Sequence, residues 1–188
     1  MAHWRWPHQP SPQPVQSLEI ETPRLRLRPL DGGDAAFIFE LLNEPAFIAN
    51  IGDKEVRDLA GALNYIEKGP QASYLQHGHG LLRVALRDDD TPVGICGLVK
   101  RDSLPHPDIG YAFLERHWGR GYACEAGAAC LEHGRDRLEL GYVVGITAPD
   151  NHGSIRVLEK LGLRYDRTLD LPGIDGPSLY FVPADDSQ

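Results

Sequence analysis

The order of helical and strand-like segments predicts an α/β protein built on a sheet of mixed strand direction flanked by helices. Short apolar runs bounded by glycine, proline or aspartate indicate strands, and longer segments with one apolar face indicate helices. The stretch 108–129 combines the two, because an apolar run leads through a glycine-rich turn into an alanine-rich segment. The resulting order is β-α-α-β-β-β-α-β-α-β-β, which favours a mixed sheet.

Each predicted element is delimited by residues that break or cap regular structure. Leu and Arg alternate over 22–30, the pattern of a strand with one solvent-exposed face. Pro45 and Gly69-Pro70 are predicted to end the first two helices. The segment 74–80 is predicted to be a flexible loop near a substrate entrance. The predicted strands are 22–30, 81–87, 93–99, 109–114, 141–148, 164–171 and 178–182, and the predicted helices are 35–43, 56–67, 122–138 and 154–161.

The composition is that of a folded protein of ordinary domain size. The chain has 188 residues, of which 41% are hydrophobic and 24% charged. A formal net charge of −8 without a long basic run argues against nucleic-acid binding as the main role. Cys96, Cys124 and Cys130 form no C-x-x-C pair, and their odd number favours free thiols. No apolar run is long enough for a membrane span, so a cytoplasmic location is expected.

Residues 1–17 differ in composition from the rest of the chain. They are rich in proline, glutamine and histidine, which predicts a flexible arm followed by a single domain over 18–188. The histidines of this arm, and the pair His77 and His79, lack the nearby cysteine or acidic partners that would complete a zinc site. No metal is therefore expected.

The turn R-H-W-G-R-G at 116–121 has the properties of an anion site. Gly119 and Gly121 allow a left-handed backbone or a close approach to a ligand. The turn precedes a predicted helix, so unpaired N–H groups and the positive end of the helix dipole point to the same place. An ordinary tight turn is the alternative interpretation.

Four motifs, in order, resemble the GNAT superfamily of acyl-CoA-dependent N-acetyltransferases. R-H-W-G-R-G fits the R/Q-x-x-G-x-G/A motif, and D-I-G-Y-A-F-L-E-R-H-W-G-R-G-Y-A-C-E-A around it is similar to the RimJ/RimL-like branch, the ribosomal-protein and related N-terminal acetyltransferases. T-P-R-L-R-L-R-P-L at 22–30, V-G-I-C-G-L at 93–98 and N-H-G-S-I-R-V-L-E-K-L-G-L at 151–163 resemble that branch's opening strand, central hairpin and N-x-x-S signature. The resemblance covers roughly residues 18–183. It implies a GNAT-like, mostly antiparallel sheet whose middle strands splay apart.

The resemblance also implies a site for acetyl-CoA. The loop 118–123 would hold the pyrophosphate, and the end of the preceding strand would pair with the pantetheine arm, with the N–H of Leu114 or its neighbour as oxyanion donor. Asn151 and Ser154 would meet the pantetheine and the thiol end. The implied cofactor-binding residues are Phe113, Leu114, Arg116, Trp118, Gly119, Arg120, Gly121, Tyr122, Ala123, Asn151 and Ser154.

Several of these residues have simpler interpretations. Asn151 suits a helix cap. Arg116 and Arg120 belong to a residue type that is usually solvated at the surface. Glu125 suits the first turn of a helix, where a carboxylate complements the helix dipole.

Acetyl transfer to an amine requires a neutral amine, donors for the oxyanion and a proton for the thiolate. Many GNAT enzymes take that proton from a tyrosine seven residues after the motif asparagine, where this chain has Leu158. The resemblance to RimL-like enzymes makes Ser154 the candidate donor, with a purely structural helix residue as the alternative. Asp108 is the candidate general base, with Glu115 and His117 as alternatives, and a reaction without a dedicated base is also open.

The predicted function is N-acetyl transfer from an acyl-CoA, expected to be acetyl-CoA, to a primary amine by direct attack in a ternary complex. The acceptor is open: a protein N-terminus, an amino sugar, a polyamine and another small amine all fit. The expected partners are acetyl-CoA and this acceptor, without nucleic acid or membrane, for a monomer or homodimer. A non-catalytic CoA-binding sensor or scaffold on the same fold is the alternative, which Leu158 slightly favours.

Overall fold

The computed structural model describes residues 18–184, so the predicted arm at 1–17 lies outside the described residues. The predicted order of elements is confirmed, with one further short strand, β1, and two further helices before the hairpin. The strands are β1 (Ile20–Glu21), β2 (Leu25–Pro29), β3 (Leu81–Leu86), β4 (Pro92–Val99), β5 (Asp108–Phe113), β6 (Gly145–Thr147), β7 (Leu163–Leu169) and β8 (Ser178–Pro183). The helices are α1 (Ala35–Leu42), α2 (Pro45–Asn50), α3 (Leu59–Ile66), α4 (Ala72–His77), α5 (Tyr122–Arg137) and α6 (His152–Lys160).

The strands form two sheets that meet at one point. β1 to β5 form an antiparallel sheet in chain order, and β6, β8 and β7 form a second antiparallel sheet in that order. Asp108, at the start of β5, bridges Val144 in the parallel direction. At this bridge the Ile109 N–H donates to the Val144 carbonyl at 2.9 Å. Beyond this bridge the described residues of β5 and β6 form no further pairs and belong to different sheets, which confirms the splayed, mostly antiparallel sheet. We refer to the region between the two strands as the gap.

Residues of β5 alternate between two hydrophobic cores. Ile109 and Phe113 are buried in a core shared with helix α5. Ala112 and Leu114 pack in a second core, formed with α1 and α3. Because both faces of β5 are covered, the strand is a nearly continuous apolar run, as buried strands are.

Of the two proline-based predictions, one is confirmed and one is wrong. Helix α1 ends at Leu42, before Pro45 as predicted, and Pro45 also begins helix α2, because proline is tolerated at the first helical position, where its missing N–H would have no intrahelical partner. Gly69-Pro70 does not end the second predicted helix. Residues 67–71 form a π-helical turn that runs directly into α4, and this wider turn accommodates a proline ring that would clash with the carbonyl four residues earlier in an α-helix.

The segment 74–80 is not the flexible loop predicted from its glycines and histidines. Tyr74 is buried within α4, and its hydroxyl donates to the Leu81 carbonyl. His79 is also buried, with its Nδ1 2.8 Å from the Leu98 carbonyl, and this burial lowers the pKa of the imidazole. Across residues 18–184, no three His, Cys, Asp or Glu side chains are grouped as metal ligands. No helix in the same residues is long and apolar enough to cross a membrane.

Helix α6 packs against β6 through a glycine. A Cβ atom at Gly145 would lie 2.6 Å from the side chain of Leu158, so only glycine permits this approach. Leu158 is consequently almost fully buried, at 1% exposure. The contact fixes the N-terminus of α6 beside the gap between the two sheets.

Candidate active site

The open edge of β5 presents N–H donors to the gap. Successive N–H groups of a strand point alternately to its two neighbours. Leu114 donates to the Val93 carbonyl of β4, whereas Ile109 donates towards Val144 on the other side. The N–H groups of Tyr111 and Phe113 share the direction of Ile109 and face the space from which β6 has diverged. These two donors, about 7 Å apart, suit an extended ligand that carries amide carbonyls.

Leu114 does not have the position predicted for it. Its N–H donates to the Val93 carbonyl at 2.9 Å, and its carbonyl accepts from the His117 N–H at 2.9 Å. Its side chain is fully buried. The Leu114 N–H is therefore already paired in this structure, and the nearby N–H groups that face the gap are those of Tyr111 and Phe113. The sequence does not reveal this alternation, because it depends on the register between β4 and β5.

Trp118 closes the end of the strand. Its indole Nε1–H donates to the Phe113 carbonyl at 2.8 Å, while 49% of the residue remains exposed. The bond fixes the 3₁₀ turn at 115–117 that separates β5 from the glycine loop. Trp118 therefore lies at the entrance of the gap, where it contacts the end of β5 that is predicted to bind the cofactor.

The glycine loop has the geometry of an anion site. Gly119 and Gly121 have φ values of 73° and 81°, in the left-handed region that glycine adopts without strain. Gly121 caps helix α5 without a side-chain hydrogen bond. Among the hydrogen bonds of residues 18–184, none uses the backbone N–H groups of 119–124 as donors to a loop or side-chain acceptor. Tyr122 and Ala123 therefore offer unpaired donors at the positive end of a 16-residue helix.

Arg24, which precedes β2, holds this loop in place. Its Nη1 donates to the Arg120 carbonyl at 2.8 Å, and its Nε donates to Glu125 Oε2 at 3.0 Å. Its guanidinium also lies 4.7 Å from the centre of the Tyr122 ring, a cation–π distance. Sequence reasoning assigned Arg24 to a solvent-exposed strand face. Arg24 belongs to the T-P-R-L motif, but a motif does not identify a contact 96 residues away.

The two other arginines of the motif point elsewhere. The Arg116 guanidinium pairs with the carboxylate of Glu40 on α1, which raises the pKa of the arginine. Its predicted role as a phosphate ligand would require this pair to open. Arg120 is exposed, and its carbonyl, rather than its side chain, is the group that contacts Arg24.

Ser154 and Asn151 lie at the N-terminus of α6, beside the gap. The Asn151 side chain accepts from the Ser154 N–H at 3.2 Å, so the helix-cap interpretation of Asn151 is confirmed. The Ser154 hydroxyl lies 2.8 Å from the hydroxyl of Tyr111. Sequence reasoning missed Tyr111, since a tyrosine in an apolar strand looks like a core residue. Burial raises the pKa of the Tyr111 phenol well above its ordinary value.

Asp108 lies at the closed end of the gap. It is 1% exposed, and its Oδ1 accepts from the Nε of Arg101 at 2.9 Å. Burial raises the pKa of this carboxyl, although the Arg101 guanidinium opposes the shift. Asp108 and Phe113 occupy opposite ends of β5, about 17 Å apart along the strand.

The alternative bases are nearer the glycine loop. Glu115 is exposed, and its backbone N–H donates to Glu44 Oε2 at 3.1 Å. This contact involves the main chain of Glu115 and not its carboxylate. His117 is half-buried, and neither of its ring nitrogens has a hydrogen-bond partner among the described residues. Burial and the nearby Arg116 and Arg120 guanidinium groups lower the pKa of His117, so its imidazole is neutral at pH 7.

Comparison with known proteins places this site in a family. Residues 24–164 match the family model described as "Acetyltransferase (GNAT) domain". The chain is 34% identical over 157 residues to YkkB of Bacillus subtilis (strain 168), covering 80% of this chain and 88% of that protein. It is 26% identical over 151 residues to the N-acetyltransferase p20 of Bacillus licheniformis, covering 80% and 84%.

Solved structures show the same architecture. The acetyltransferase from Agrobacterium tumefaciens str. C58 superimposes with a TM-score of 0.75 at 25% identity, covering 97% of this chain and 98% of that one. The ribosomal L7/L12 alpha-N-protein acetyltransferase RimL, solved in complex with coenzyme A, gives a TM-score of 0.75 at 15% identity and covers 89% and 99%. The gap and the glycine loop both lie within the matched residues. The chain is an N-acetyltransferase that belongs to the GNAT family.

Proposed function

We propose that this N-acetyltransferase takes its acetyl group from acetyl-CoA and transfers it to a primary amine, on a protein N-terminus or a small molecule, by direct attack in a ternary complex. We further propose that it belongs to the RimJ/RimL-like branch. The observation that carries the proposal is that the glycine loop opens directly onto the donor edge of β5. A ligand with a diphosphate at one end and an amide-bearing arm at the other would match both.

The pyrophosphate would lie at the N-terminus of α5. The unpaired N–H groups of 119–124 supply hydrogen-bond donors, and the helix dipole favours negative charge there. The pantetheine arm would then lie along β5 as a substitute strand, accepting from the Phe113 N–H. The Tyr111 N–H, one pair further into the gap, is the proposed donor to the thioester carbonyl oxygen as it gains negative charge in the transition state.

Ser154 is the proposed donor to the departing sulfur. Its half-buried hydroxyl lies at the helix end that borders the gap, whereas Leu158 is sealed against Gly145 and has no proton to give. The nitrogen–carbon bond forms, the carbon–sulfur bond breaks, and the proton lost by the amine balances the one that the thiolate acquires. No acyl-enzyme is needed for this sequence.

Asp108 is tested as a base by the variant Asp108→Asn. A general base contributes about 10²- to 10⁴-fold to a rate. Because this carboxylate is buried and paired with Arg101, we expect Asp108→Asn to keep the turnover number within about 5-fold of the wild type. A loss of more than about 100-fold with an unchanged melting temperature would restore Asp108 as the base.

The proposed activity is tested by release of free thiol from acetyl-CoA in the presence of a panel of amines and N-terminal peptides. We expect release with one acceptor class, and mass spectrometry of that acceptor should show one added acetyl group. Acetyl-CoA that binds in calorimetry but is turned over with none of the panel would contradict transfer to these acceptor classes.

Gly121→Trp tests the position of the cofactor. An indole at Gly121, whose Cβ would lie 3.4 Å from Arg24 Nη2, would fill the proposed phosphate site. Gly162→Trp is the matched control, since Gly162 also has a positive φ, of 87°, and has free space around it after α6. We expect loss of CoA binding in the first variant only. Equal binding by both would place the cofactor elsewhere.

A further inference from the structure

A hydrogen-bonded hydroxyl pair connects β5 to the start of α6. The Tyr111 hydroxyl lies 2.8 Å from Ser154 Oγ and 3.1 Å from the Ser154 carbonyl oxygen. The two residues are 43 positions apart in the chain and belong to the two elements that border the gap. Leu158, at the position expected to provide a hydroxyl, is buried against Gly145 instead.

The backbone of Ser154 is fixed, but its hydroxyl is not. Its N–H is bound to the Asn151 side chain as part of the helix cap. A serine hydroxyl in the first turn of a helix rotates among local acceptors, so the backbone alone does not direct its proton into the gap. The Tyr111 hydroxyl is the side-chain partner that restricts this rotation.

Hydrogen-bond accounting decides between two arrangements of the pair. A phenol has one proton to donate. If Tyr111 gives it to the Ser154 carbonyl, the serine proton is taken up by the phenol oxygen. If Tyr111 gives it to Ser154 Oγ, the serine proton is free for another acceptor. The Ser154 carbonyl has two lone pairs, so it can accept from both α6 and Tyr111, and without ligand both arrangements are allowed. A thiolate in the gap favours the second arrangement, because only then does the serine proton have this charged acceptor.

We propose that Tyr111 is a positioning residue for acetyl transfer: its hydroxyl donates to Ser154 Oγ and thereby directs the Ser154 proton at the sulfur of coenzyme A. This inference rests on the proposed function. As the carbon–sulfur bond breaks, Ser154 donates a hydrogen bond to the sulfur. The thiolate is finally protonated at the expense of the amine, so Tyr111 and Ser154 end the reaction with the protons they began with.

Burial supports this role for the tyrosine. Its phenol has a raised pKa because it is buried, so it stays protonated and remains a donor across the pH range of an assay. The same residue also directs its backbone N–H into the gap. Tyr111 would thus contact the thioester through its backbone N–H. Its side chain would act on the departing sulfur indirectly, through Ser154.

The test compares Tyr111→Phe, Ser154→Ala and the double variant with the wild type. The control is Tyr165→Phe, which removes a phenol bonded to Thr168 on the exposed strand β7. The first readout is the thiol pKa of bound coenzyme A, titrated through the ultraviolet absorbance of the thiolate. Desulfo-coenzyme A in a parallel titration subtracts the thiols of the protein itself.

We expect the bound thiol to be more acidic than free coenzyme A in the wild type and in Tyr165→Phe. Tyr111→Phe should raise that pKa towards the free value, and adding it to Ser154→Ala should have no further effect. In turnover, Tyr111→Phe should lower kcat about 2- to 10-fold, as expected for the loss of one hydrogen bond, while KM for acetyl-CoA stays within about 2-fold.

Two results would overturn the inference. If Tyr111→Phe lowers the melting temperature but leaves both the thiol pKa and kcat at wild-type values, the pair is only structural. If the effects of the two single variants add fully in the double variant, Tyr111 does not act through Ser154. Failure of the wild type to bind coenzyme A would instead refute the proposed function on which the inference depends.

Discussion

At the scale of single residues, Arg24 shows how a side chain outside the glycine motif holds the loop in its binding geometry. It bonds the Arg120 carbonyl, pairs with Glu125 and covers the Tyr122 ring. The ion pair alone is worth little, because 48% of the Arg24 side chain is exposed. The contribution of Arg24 is therefore to order the loop before the ligand arrives, which reduces the entropy lost on binding.

Arg24→Met should weaken the binding of coenzyme A about 3- to 10-fold while changing the melting temperature by less than about 2 °C, the size expected for a partly exposed contact. The control is Arg26→Met, two residues further along the chain and within β2, which removes the same charge but only an exposed pair with Glu21. Calorimetric titration of both variants measures the difference. Equal losses in the two would mean that overall charge, not the loop contact, sets the affinity.

Asp108 predicts a specific pH dependence of stability. Burial raises its pKa in the folded protein, so between the ordinary aspartate value and the raised one the folded state binds more protons than the unfolded chain. The free energy of unfolding contributed by this group therefore falls as pH rises through that window. Urea denaturation measures the free energy of unfolding of the wild type and of Asp108→Asn. The wild-type value minus the variant value should fall as the pH rises through that window.

Asp53 provides a control of opposite sign. Its pKa is lowered to about 2, chiefly by its hydrogen bond with Arg57. The free energy of unfolding of the wild type minus that of Asp53→Asn should therefore rise with pH between about 2 and the ordinary pKa of aspartate. Above that pKa the difference should stay level. A flat difference for Asp108 across its own window would show that Arg101 stabilises the carboxylate as much as burial destabilises it, and a rising one that Arg101 outweighs burial.

The sequence predicted those site residues whose role follows from local backbone chemistry. Gly119 and Gly121 adopt the left-handed conformations that glycine permits, and Asn151 caps its helix. Contacts between distant elements were not predictable. Whether Leu114 or Tyr111 faces the gap depends on strand pairing, and a one-residue change in register exchanges their directions.

At the scale of elements, the placement of Ser154 depends on how closely α6 approaches β6. A Cβ at Gly145 would lie 2.6 Å from Leu158, so either the helix or the strand would have to shift. Gly145→Ala should reduce the free energy of unfolding by about 1–3 kcal/mol, the usual cost of overpacking a core.

Gly141→Ala is the matched control for this contact, since nothing lies within 4 Å of a Cβ at Gly141 in the same connection. Urea denaturation of both variants gives the comparison, and it should be accompanied by the thiol pKa of bound coenzyme A, because a displaced α6 would move the Ser154 hydroxyl. Equal destabilisation by the two substitutions would mean that the backbone conformation at these glycines, rather than the Leu158 contact, sets the cost.

Elements with a strong local pattern were predicted nearly to their ends. The hairpin β3–β4 and helix α5 lie within one or two residues of the sequence prediction. Predictions failed where tertiary packing overrides a local breaker. Pro70 lies inside a continuous helical segment, because the π-helical turn accommodates its ring and that ring is buried, whereas Glu67, Lys68 and Gly69 are exposed. The predicted strand 141–148 is shortened to β6, since only three of its residues find a partner in β8.

At the scale of the whole molecule, the fold is two sheets that share one bridge. Asp108 and Val144 join them, and from that point β5 and β6 separate although both remain packed at their outer faces. A sheet interrupted in this way leaves backbone donors of β5 without a neighbouring strand, and a buried backbone donor without a partner is costly. The proposed pantetheine arm would supply acceptors to these donors.

Amide hydrogen exchange tests whether coenzyme A completes this sheet. Without ligand, the N–H groups of Ile109 and Leu114 are already bonded, to Val144 and Val93, whereas those of Tyr111 and Phe113 face the gap. Saturation with ligand at about 100 times its dissociation constant adds about 2.7 kcal/mol to global stability, so exchange through global unfolding slows at every amide.

The specific prediction concerns the difference between neighbouring amides of β5. On binding, the N–H groups of Tyr111 and Phe113 should gain clearly more protection from exchange than those of Ile109 and Leu114. Equal gains at all four amides would mean that the ligand stabilises the fold without pairing with β5, and a larger gain at Leu114 would restore the original register prediction.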